Sequence, residues 1–140
     1  MANALASIDI PAPAEQVWQL IGGFDSLPDW LPYIPTSTLS EGGRIRHLAN
    51  PGGDAIVERL IAFDERGRSY TYAILQASFP VRDYQATIRV TGNGRQGARV
   101  DWAGTFTPVG VSEQEATRLF QGIYEDGLQA LAEGFAARDA

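Results

Sequence analysis

The last two-thirds of the chain combines several long strand-like segments with a single long helical segment, and this order strongly limits the fold. The strand-like segments are Asp54–Asp64, Arg68–Ala77, Tyr84–Gly92 and Ala98–Thr107, and the helical pattern begins at Ser112. A lone helix that follows antiparallel strands buries its apolar stripe against the concave face of their sheet. We therefore expect a curved sheet that closes over the C-terminal helix and encloses an aromatic pocket.

Composition and charge exclude several classes of function. The chain has 140 residues, and we predict a single domain over residues 1–140. Its net charge of −6 argues against a nucleic-acid surface. With no cysteine and a single histidine, His47, thiolate and multi-histidine metal sites are excluded, and we expect neither a metal nor a cofactor. No apolar run is long enough for a membrane span and no signal-peptide pattern is present, so we expect a cytoplasmic protein without membrane insertion.

The N-terminal third is predicted to contain a strand, a short helix and a hairpin. Weak alternation over Ala4–Ile10 indicates the strand, and Pro13 suits the start of the helix. The prolines within Ser26–Pro35 predict one or two distorted helical turns. The segments Thr36–Glu41 and Arg44–Leu48 are predicted strands, joined by a pair of glycines.

Two of the later strands and the final helix each have a distinct apolar side. The strand residues expected on the buried face are Tyr84, Ala86, Ile88, Val90, Val100, Trp102, Gly104 and Phe106. The helical stripe consists of Leu119, Phe120, Ile123, Tyr124, Leu128, Leu131 and Phe135. Ser112 and Glu115 have the spacing of a capping box at the start of the helix.

Two loops differ from ordinary hairpin turns. The loop Ala49–Asp54 combines a proline with two glycines and is expected to be mobile. The loop Ala77–Asp83 is expected to expose Phe79 beside Pro80. An exposed aromatic side chain on a loop is a candidate contact for another protein.

The sequence has no motif for nucleophilic or phosphate chemistry. The single histidine lies in a predicted strand and no Gly-x-Ser-x-Gly motif precedes a helix, which argues against a serine triad. The glycine-containing loop Gly92–Gly97 joins two strands and opens no helix, which argues against a phosphate-binding loop. These observations favour binding over catalysis.

Glu58 is the polar residue that most strongly indicates a site. One alternating face of its segment carries Glu58 and the other carries Arg59, so one of the two must point inward. The pattern leaves both orientations open, because an inward arginine can lay its aliphatic part along the core. A buried carboxylate is costly unless it is hydrogen-bonded, so an inward Glu58 would be the polar anchor of a pocket.

Aromatic residues are numerous enough to line such a pocket. The candidates are Tyr33, Tyr72, Tyr84, Trp102, Phe106, Phe120 and Tyr124. Each could simply fill a core, but tyrosine and tryptophan carry polar groups that need partners when buried. Several of them around one carboxylate would orient a ligand in a mostly apolar pocket. His47 is expected to be structural or on the surface.

Short motifs spread over nearly the whole chain carry a family resemblance. They are Pro13-Ala-Glu-Gln-Val-Trp18, Phe24-Asp25 with Trp30, Glu58-Arg-Leu60 with Phe63-Asp64, Tyr72-Ala-Ile74, Pro80-Val81 with Tyr84, Val100-Asp-Trp102 and Thr117-Arg-Leu-Phe120. In this order they resemble the START-like superfamily, also called Bet v 1-like or SRPBCC, which includes polyketide cyclases, dehydrases and lipid-transport proteins. The chain is most similar to the bacterial branch closest to the plant abscisic acid receptors.

This resemblance implies an α+β helix-grip fold, in which a seven-stranded antiparallel sheet wraps around a long C-terminal helix and two short helices close one end. It also implies that Glu58 points into the cavity. The ligand-binding residues that we predict are Tyr33, Glu58, Tyr72, Ile74, Phe79, Tyr84, Ala86, Trp102, Phe120 and Tyr124. The loops Ala49–Asp54 and Ala77–Val81 match the gate and the latch at the cavity mouth of the receptors.

Three departures from the receptor pattern limit what the resemblance implies. Leu31 stands where the receptors have a ligand-anchoring lysine, and Phe79 stands where they have the latch histidine. The gate motif Ser-Gly-Leu-Pro is replaced by the shorter Asn50-Pro-Gly-Gly53. We therefore expect neither recognition of abscisic acid nor docking of a phosphatase. With the lysine absent and Glu58 present, we predict a neutral or hydroxyl-bearing apolar ligand rather than a carboxylate.

Three functions stay open on the sequence alone. The first is the binding or transport of a small apolar ligand of the lipid, polyketide or aromatic type. The second is an enzyme resembling a polyketide cyclase, aromatase or dehydratase, in which Glu58 and either Tyr84 or Tyr72 move protons. The third is an accessory protein that docks a protein partner through Phe79. The sequence leaves the ligand, the reaction and the oligomeric state open.

Overall fold

One antiparallel sheet curves around one long helix. The computed structural model describes residues 2–49, 52–53 and 55–138. These residues form strands β1 (Ala2–Ile10), β2 (Thr36–Ser40), β3 (Ile45–Ala49), β4 (Ala55–Asp64), β5 (Ser69–Gln76), β6 (Val81–Gly92) and β7 (Ala98–Pro108), and helices α1 (Ala14–Ile21) and α2 (Glu113–Arg138). The seven strands lie in the order β1-β7-β6-β5-β4-β3-β2. The predicted α+β helix-grip fold is confirmed.

The alternation of β6 and β7 builds the concave face. All the residues predicted to face inward are buried, and Tyr84, Val90, Val100 and Phe106 are each less than 5% exposed. β1 completes this side of the sheet by pairing with β7 from Ala2↔Phe106 to Ile10↔Ala98. The period-two pattern of these strands therefore correctly predicted which side chains face the helix.

Helix α2 fills the concave face with a single apolar stripe. The buried residues of the stripe are Ala116, Phe120, Tyr124, Leu128, Leu131 and Phe135. Over 26 residues the helix is about 39 Å long, so it crosses the whole sheet. Of the predicted capping box, the structure shows the bond in which the Glu115 N–H donates to Ser112 Oγ at 3.0 Å. The inclusion of Leu119 in the stripe was wrong: it is 37% exposed, since it lies about 100° around the helix from Phe120.

In β4 it is Glu58 that faces inward, and a β-bulge follows a few residues later. Before the bulge, Glu58 is buried and Arg59 is exposed. The register with β5 then shifts between Leu60 and Ala62. Beyond that shift the alternation reverses, so Phe63 pairs with the buried Tyr70, although Phe63 itself is 47% exposed.

The region between α1 and β2 is less helical than the family resemblance implied. Instead of a second short helix, the chain forms one 3₁₀ turn over Leu27–Asp29. Pro28 lies within this turn and Pro32 follows it closely, so the backbone donors needed to extend a helix are missing. The turn nonetheless packs firmly, because Leu27 and Trp30 are 5% and 6% exposed.

Two further expectations concern the surface of the protein. His47 lies on the outer side of β3, where its Nε2 is 2.8 Å from Ser40 Oγ, as expected for a surface residue. Neither of the described helices is both long enough and apolar enough to cross a membrane. In the predicted gate loop, Asn50, Pro51 and Asp54 lie outside the described residues.

Candidate functional site

A cavity of about 230 Å³ lies between the concave side of the sheet and α2. It is lined by Leu27, Leu31, Tyr33, Ile34, Arg46, Leu48, Ile56, Glu58, Tyr72, Ile74, Phe79, Tyr84, Trp102, Phe120, Ile123 and Tyr124. Pockets that bind drug-sized ligands usually have volumes of about 300–1,000 Å³. The volume here leaves room for a compact molecule of one or two rings.

The structure brings nine of the ten predicted ligand-binding residues together around this cavity, and the exception is Ala86. Ala86 is buried, but its side chain is short and lies beneath the aromatic layer. A Cβ atom placed on neighbouring Gly104 would be 2.2 Å from the Tyr124 hydroxyl and 3.3 Å from the Ala86 Cβ, so the tyrosine covers this part of the sheet. Whether the nine residues bind a ligand stays a prediction.

The predicted exposure of Phe79 was wrong. This side chain is half-buried and lines the cavity, with its ring in an edge-on contact 5.3 Å from that of Phe120. Burial against the helix removes apolar surface from water, which explains why the loop turns Phe79 inward. Phe79 is therefore part of the cavity wall and not a free docking contact.

Glu58 does line the cavity, but it is held in an ion pair with Arg46. Both Nε and Nη2 of Arg46 lie 2.7 Å from Glu58 Oε1. The side chains are 1% and 8% exposed. The pairing follows from strand register, because Arg46 on β3 stands directly opposite Glu58 on β4.

Aromatic rings surround the guanidinium of Arg46. Its Cζ lies 4.3 Å from the centre of the Phe24 ring and 4.8 Å from that of Tyr72. Its Nη1 donates to the Phe24 carbonyl at 3.2 Å and to the Tyr70 hydroxyl at 3.3 Å. These contacts satisfy a charge that has been removed from water.

The two partners respond differently to burial. Burial alone would lower the pKa of Arg46, but Tyr70, Glu58 and Tyr72 together raise it above its ordinary value, so the guanidinium stays charged. Burial raises the pKa of Glu58, and the attraction and hydrogen bonds of Arg46 offset that rise only in part. Because Arg46 is permanently charged, the carboxylate opposite it has a fixed counter-ion.

Sequence reasoning missed Arg46, although a signal was present. In Arg44–Leu48 the alternation places Arg46 on the same face as the apolar Leu48. The antiparallel register between β3 and β4 then places Arg46 opposite Glu58. A buried carboxylate needs a partner, and that requirement alone was reason to search the neighbouring strand for a cation.

A chain of hydrogen-bonded hydroxyls forms the second polar feature. Trp102 Nε1 donates to Tyr72 Oη at 3.1 Å, and Tyr72 Oη lies 3.2 Å from Tyr84 Oη. Tyr84 Oη is in turn hydrogen-bonded to Tyr124 Oη. The pKa values of all three tyrosines are raised, chiefly by burial, so they are neutral phenols at pH 7. Glycine at position 104 makes room for the Tyr124 hydroxyl.

Tyr33 closes the cavity from the side of the 3₁₀ turn. Its hydroxyl donates to the Ile123 carbonyl at 3.3 Å. Burial and the nearby charge of Asp126 raise the pKa of Tyr33 to about 12. Helix α2 approaches closely here because Gly127 has no side chain: a Cβ there would lie 2.8 Å from the Trp102 ring and 2.9 Å from the Tyr33 hydroxyl.

Other features of the structure are less suited to be a site. A groove of about 730 Å³ between the start of β1 and α2 is open to solvent and lined mostly by polar side chains such as Glu113, Gln114 and Arg118. Among the residues that the structure describes, no three histidine, aspartate or glutamate side chains are grouped to hold a metal ion. The aromatic cavity between the sheet and α2 is therefore the candidate site.

Solved structures of similar proteins share this architecture. The protein XoxI from Bacillus cereus is 56% identical over 100% of this chain and 99% of its own, with a TM-score of 0.96. A protein from Bacillus thuringiensis is also 56% identical, over 96% of this chain and 99% of its own, with a TM-score of 0.95. An aromatase/cyclase from a Streptomyces species is 15% identical over 99% and 95% of the two chains, with a TM-score of 0.79, and shows the fold alone.

The family model gives the wider relationship. Residues 1–136 match the family described as polyketide cyclase / dehydrase and lipid transport. The match includes every strand, the first helix and all the residues that line the cavity. The chain therefore belongs to the polyketide cyclase / dehydrase and lipid transport family.

Proposed function

We propose that the protein binds a compact, neutral, mostly apolar small molecule in the cavity between the sheet and α2. The observation that supports this most strongly is the composition of the cavity wall. Aliphatic and aromatic side chains dominate it, and the two side chains charged at neutral pH, Arg46 and Glu58, are paired with each other. A charged ligand entering this space would lose its hydration without gaining a free counter-ion.

The direct test is native mass spectrometry of the protein purified from its own host, followed by extraction of whatever co-purifies. We expect one neutral molecule per chain. Ile123→Trp is the cavity-filling variant, because Ile123 lies on α2 and lines the cavity. Leu119→Trp is its matched control on the same helix, since Leu119 is exposed.

The outcomes of this test separate the binding proposal from its rivals. Loss of the molecule in Ile123→Trp, with retention in Leu119→Trp, would support binding in the cavity. A co-purifying carboxylate, or a ligand retained equally in both variants, would refute the proposal. Glu58→Ala is a poor choice here, because it leaves Arg46 buried without its counter-ion and disturbs the fold itself.

A second candidate is an enzyme that moves a proton of the bound molecule. One observation favours it, namely that burial raises the pKa of Glu58, as general acid–base catalysis at neutral pH requires. Against it, Oε1 of Glu58 is occupied by two bonds from Arg46. An enzyme of this kind would accelerate deuterium exchange of the protons next to the carbonyl of added 1-tetralone in D₂O. A binder would leave that exchange at its uncatalysed rate.

The remaining predictions from the sequence are not part of this proposal. The docking of a protein partner lost its stated support when Phe79 proved to be half-buried. The cytoplasmic location and the particular likeness to abscisic acid receptors stay predictions.

A further inference from the structure

In the chain of tyrosine hydroxyls, the number of phenolic protons can be compared with the number of hydrogen bonds that use them. Three phenols, Tyr72, Tyr84 and Tyr124, are joined by two hydrogen bonds. Trp102 adds a third bond, but it contributes its own indole proton to Tyr72. Each neutral phenol carries one proton. Three phenolic protons and two bonds between phenols leave one proton without an acceptor in the chain.

None of the residues that the structure describes accepts this last proton. The hydrogen bonds of the three hydroxyls are those to one another and the one from Trp102. A donor buried without an acceptor costs free energy, so the cavity is better satisfied when something inside it accepts the bond. All three tyrosines line the cavity, so a molecule bound there lies next to the chain that holds the spare donor.

The bond from Trp102 gives the chain a direction. A hydroxyl that already accepts a hydrogen bond becomes a better donor, because bonds in a chain polarise one another. Tyr72 accepts from Trp102 and is therefore expected to donate to Tyr84, which then donates to Tyr124. This order places the spare proton on Tyr124, at the end of the chain.

Glu58 presents the complementary group. Both bonds from Arg46 end on Oε1. Within the described part of the chain, no side chain or backbone group is found donating to Oε2, and Glu58 lines the cavity. A carboxylate has about four acceptor positions on its two oxygens, so Glu58 can accept a further bond from a ligand. The cavity thus offers one hydroxyl donor and one carboxylate acceptor in an apolar wall.

We propose that the ligand is a compact neutral molecule that carries both a hydrogen-bond acceptor, such as a carbonyl oxygen, for the tyrosine chain and a hydroxyl donor for Glu58. This inference rests on the proposed binding function and specifies the chemistry of its ligand. It excludes pure hydrocarbons as the best ligands, since they satisfy neither group. It also excludes carboxylates, which would face the charge of Glu58.

The test uses four probes that share one two-ring skeleton and are titrated by calorimetry. They are tetralin, 1-tetralone, 5,6,7,8-tetrahydro-2-naphthol and 6-hydroxy-1-tetralone. We expect the carbonyl and the hydroxyl each to tighten binding by roughly threefold to tenfold, as a net hydrogen bond does, so that the hydroxytetralone binds tightest. The carbonyl stretch of bound 1-tetralone should fall below its value in hexane.

Two variants that each remove one hydroxyl locate the donor. Tyr124→Phe is expected to weaken the binding of 1-tetralone while leaving the binding of tetralin unchanged, because only the ketone uses the hydroxyl. Thr71→Val is the control, since the Thr71 hydroxyl is hydrogen-bonded to that of Thr87 and Thr71 does not line the cavity. Equal weakening of both probes in Tyr124→Phe would mean a packing effect and would overturn the assignment.

The same titrations distinguish failure of this inference from failure of the proposed function. If all four probes bind with equal affinity, the cavity binds apolar molecules but the hydrogen-bonding inference is wrong. If none binds, the proposed binding function is itself wrong. Tighter binding of 1-naphthoate than of 1-tetralone would overturn the required neutrality of the ligand.

Discussion

The buried pair of Arg46 and Glu58 yields the most demanding prediction. Replacing Glu58 with leucine leaves a guanidinium that is 1% exposed, and its remaining partners among the described residues are the Phe24 carbonyl, the Tyr70 hydroxyl and aromatic faces. Replacing Arg46 with methionine leaves the carboxylate without a counter-ion. Removing one partner of a buried pair costs about 3–5 kcal/mol, so we expect each variant to lose that much free energy of unfolding.

The double variant Arg46→Met/Glu58→Leu should lose far less free energy of unfolding than the two single variants lose in sum. Both charges are gone, and the main remaining loss is the donor to the Phe24 carbonyl, which costs about 1–3 kcal/mol. The coupling between the two sites should therefore be about 3 kcal/mol or more. Urea denaturation of the four proteins measures it. Additive effects, or single losses below about 1 kcal/mol, would refute the reasoning.

The destabilisation of the single variant Arg46→Met should depend on pH in a definite direction. In Arg46→Met the pKa of Glu58, already raised by burial, has lost the arginine that held it down. A carboxyl whose folded pKa exceeds its unfolded pKa contributes stability that is fully present below the unfolded value and is lost as pH rises through the folded value. The variant should therefore be least destabilised near pH 4 and most destabilised at neutral pH. The surface pair Arg99 and Asp101, whose side chains are 56% and 33% exposed, is the control, and breaking it should cost about 1 kcal/mol at most.

Three further predictions concern the aromatic wall. Because the pKa values of its tyrosines are raised, the free energy of unfolding should be constant up to about pH 10 and fall above it. Phenolate absorbance at 295 nm should then rise over the same pH range in which near-ultraviolet circular dichroism is lost. Two separate transitions would contradict this. The tyrosines are Tyr33, Tyr72, Tyr84 and Tyr124. Gly104→Ala would place a Cβ 2.2 Å from the Tyr124 hydroxyl and should lower the free energy of unfolding by about 1–3 kcal/mol, as measured by urea denaturation. Adding Tyr124→Phe should restore part of that loss, and no recovery in the double variant would contradict the clash. Phe79 lines both the cavity and an adjoining outer groove of about 440 Å³. Phe79→Ala should therefore connect the two spaces and increase the rate of ligand dissociation in stopped-flow measurements. Leu75→Ala, in the same groove, should leave that rate unchanged.

The sequence allowed the fold to be predicted where its pattern was regular. Alternation along Tyr84–Gly92 identified the inner face correctly, because each side chain in an unbroken strand points opposite to its neighbour. The β-bulge after Leu60 could not be predicted in this way, since one extra residue reverses the alternation without a sequence mark of its own. Leu119 was misplaced because an apolar residue at the edge of a helical stripe has no local signal of its exposure.

The sequence allowed most residues of the candidate site to be predicted, but not the ion pair and hydrogen bonds between them. The pattern and the resemblance named nine residues that line the cavity, including Glu58. Arg46 was missed because the ion pair depends on the register between two strands, and register is a tertiary property. The order of the tyrosine hydroxyls likewise depends on where three strands and a helix place atoms within hydrogen-bonding distance.

Methyl-based NMR of the protein saturated with 1-tetralone tests the central claim most directly. The isoleucines that line the cavity are Ile34, Ile56, Ile74 and Ile123, whereas Ile61 is 49% exposed on the surface. We predict intermolecular Overhauser effects between the aromatic protons of the ligand and the methyl groups of the four cavity isoleucines, with none to Ile61. Contacts to Ile61 in place of these four, or no contacts at saturation, would contradict a ligand-binding cavity between the sheet and the C-terminal helix.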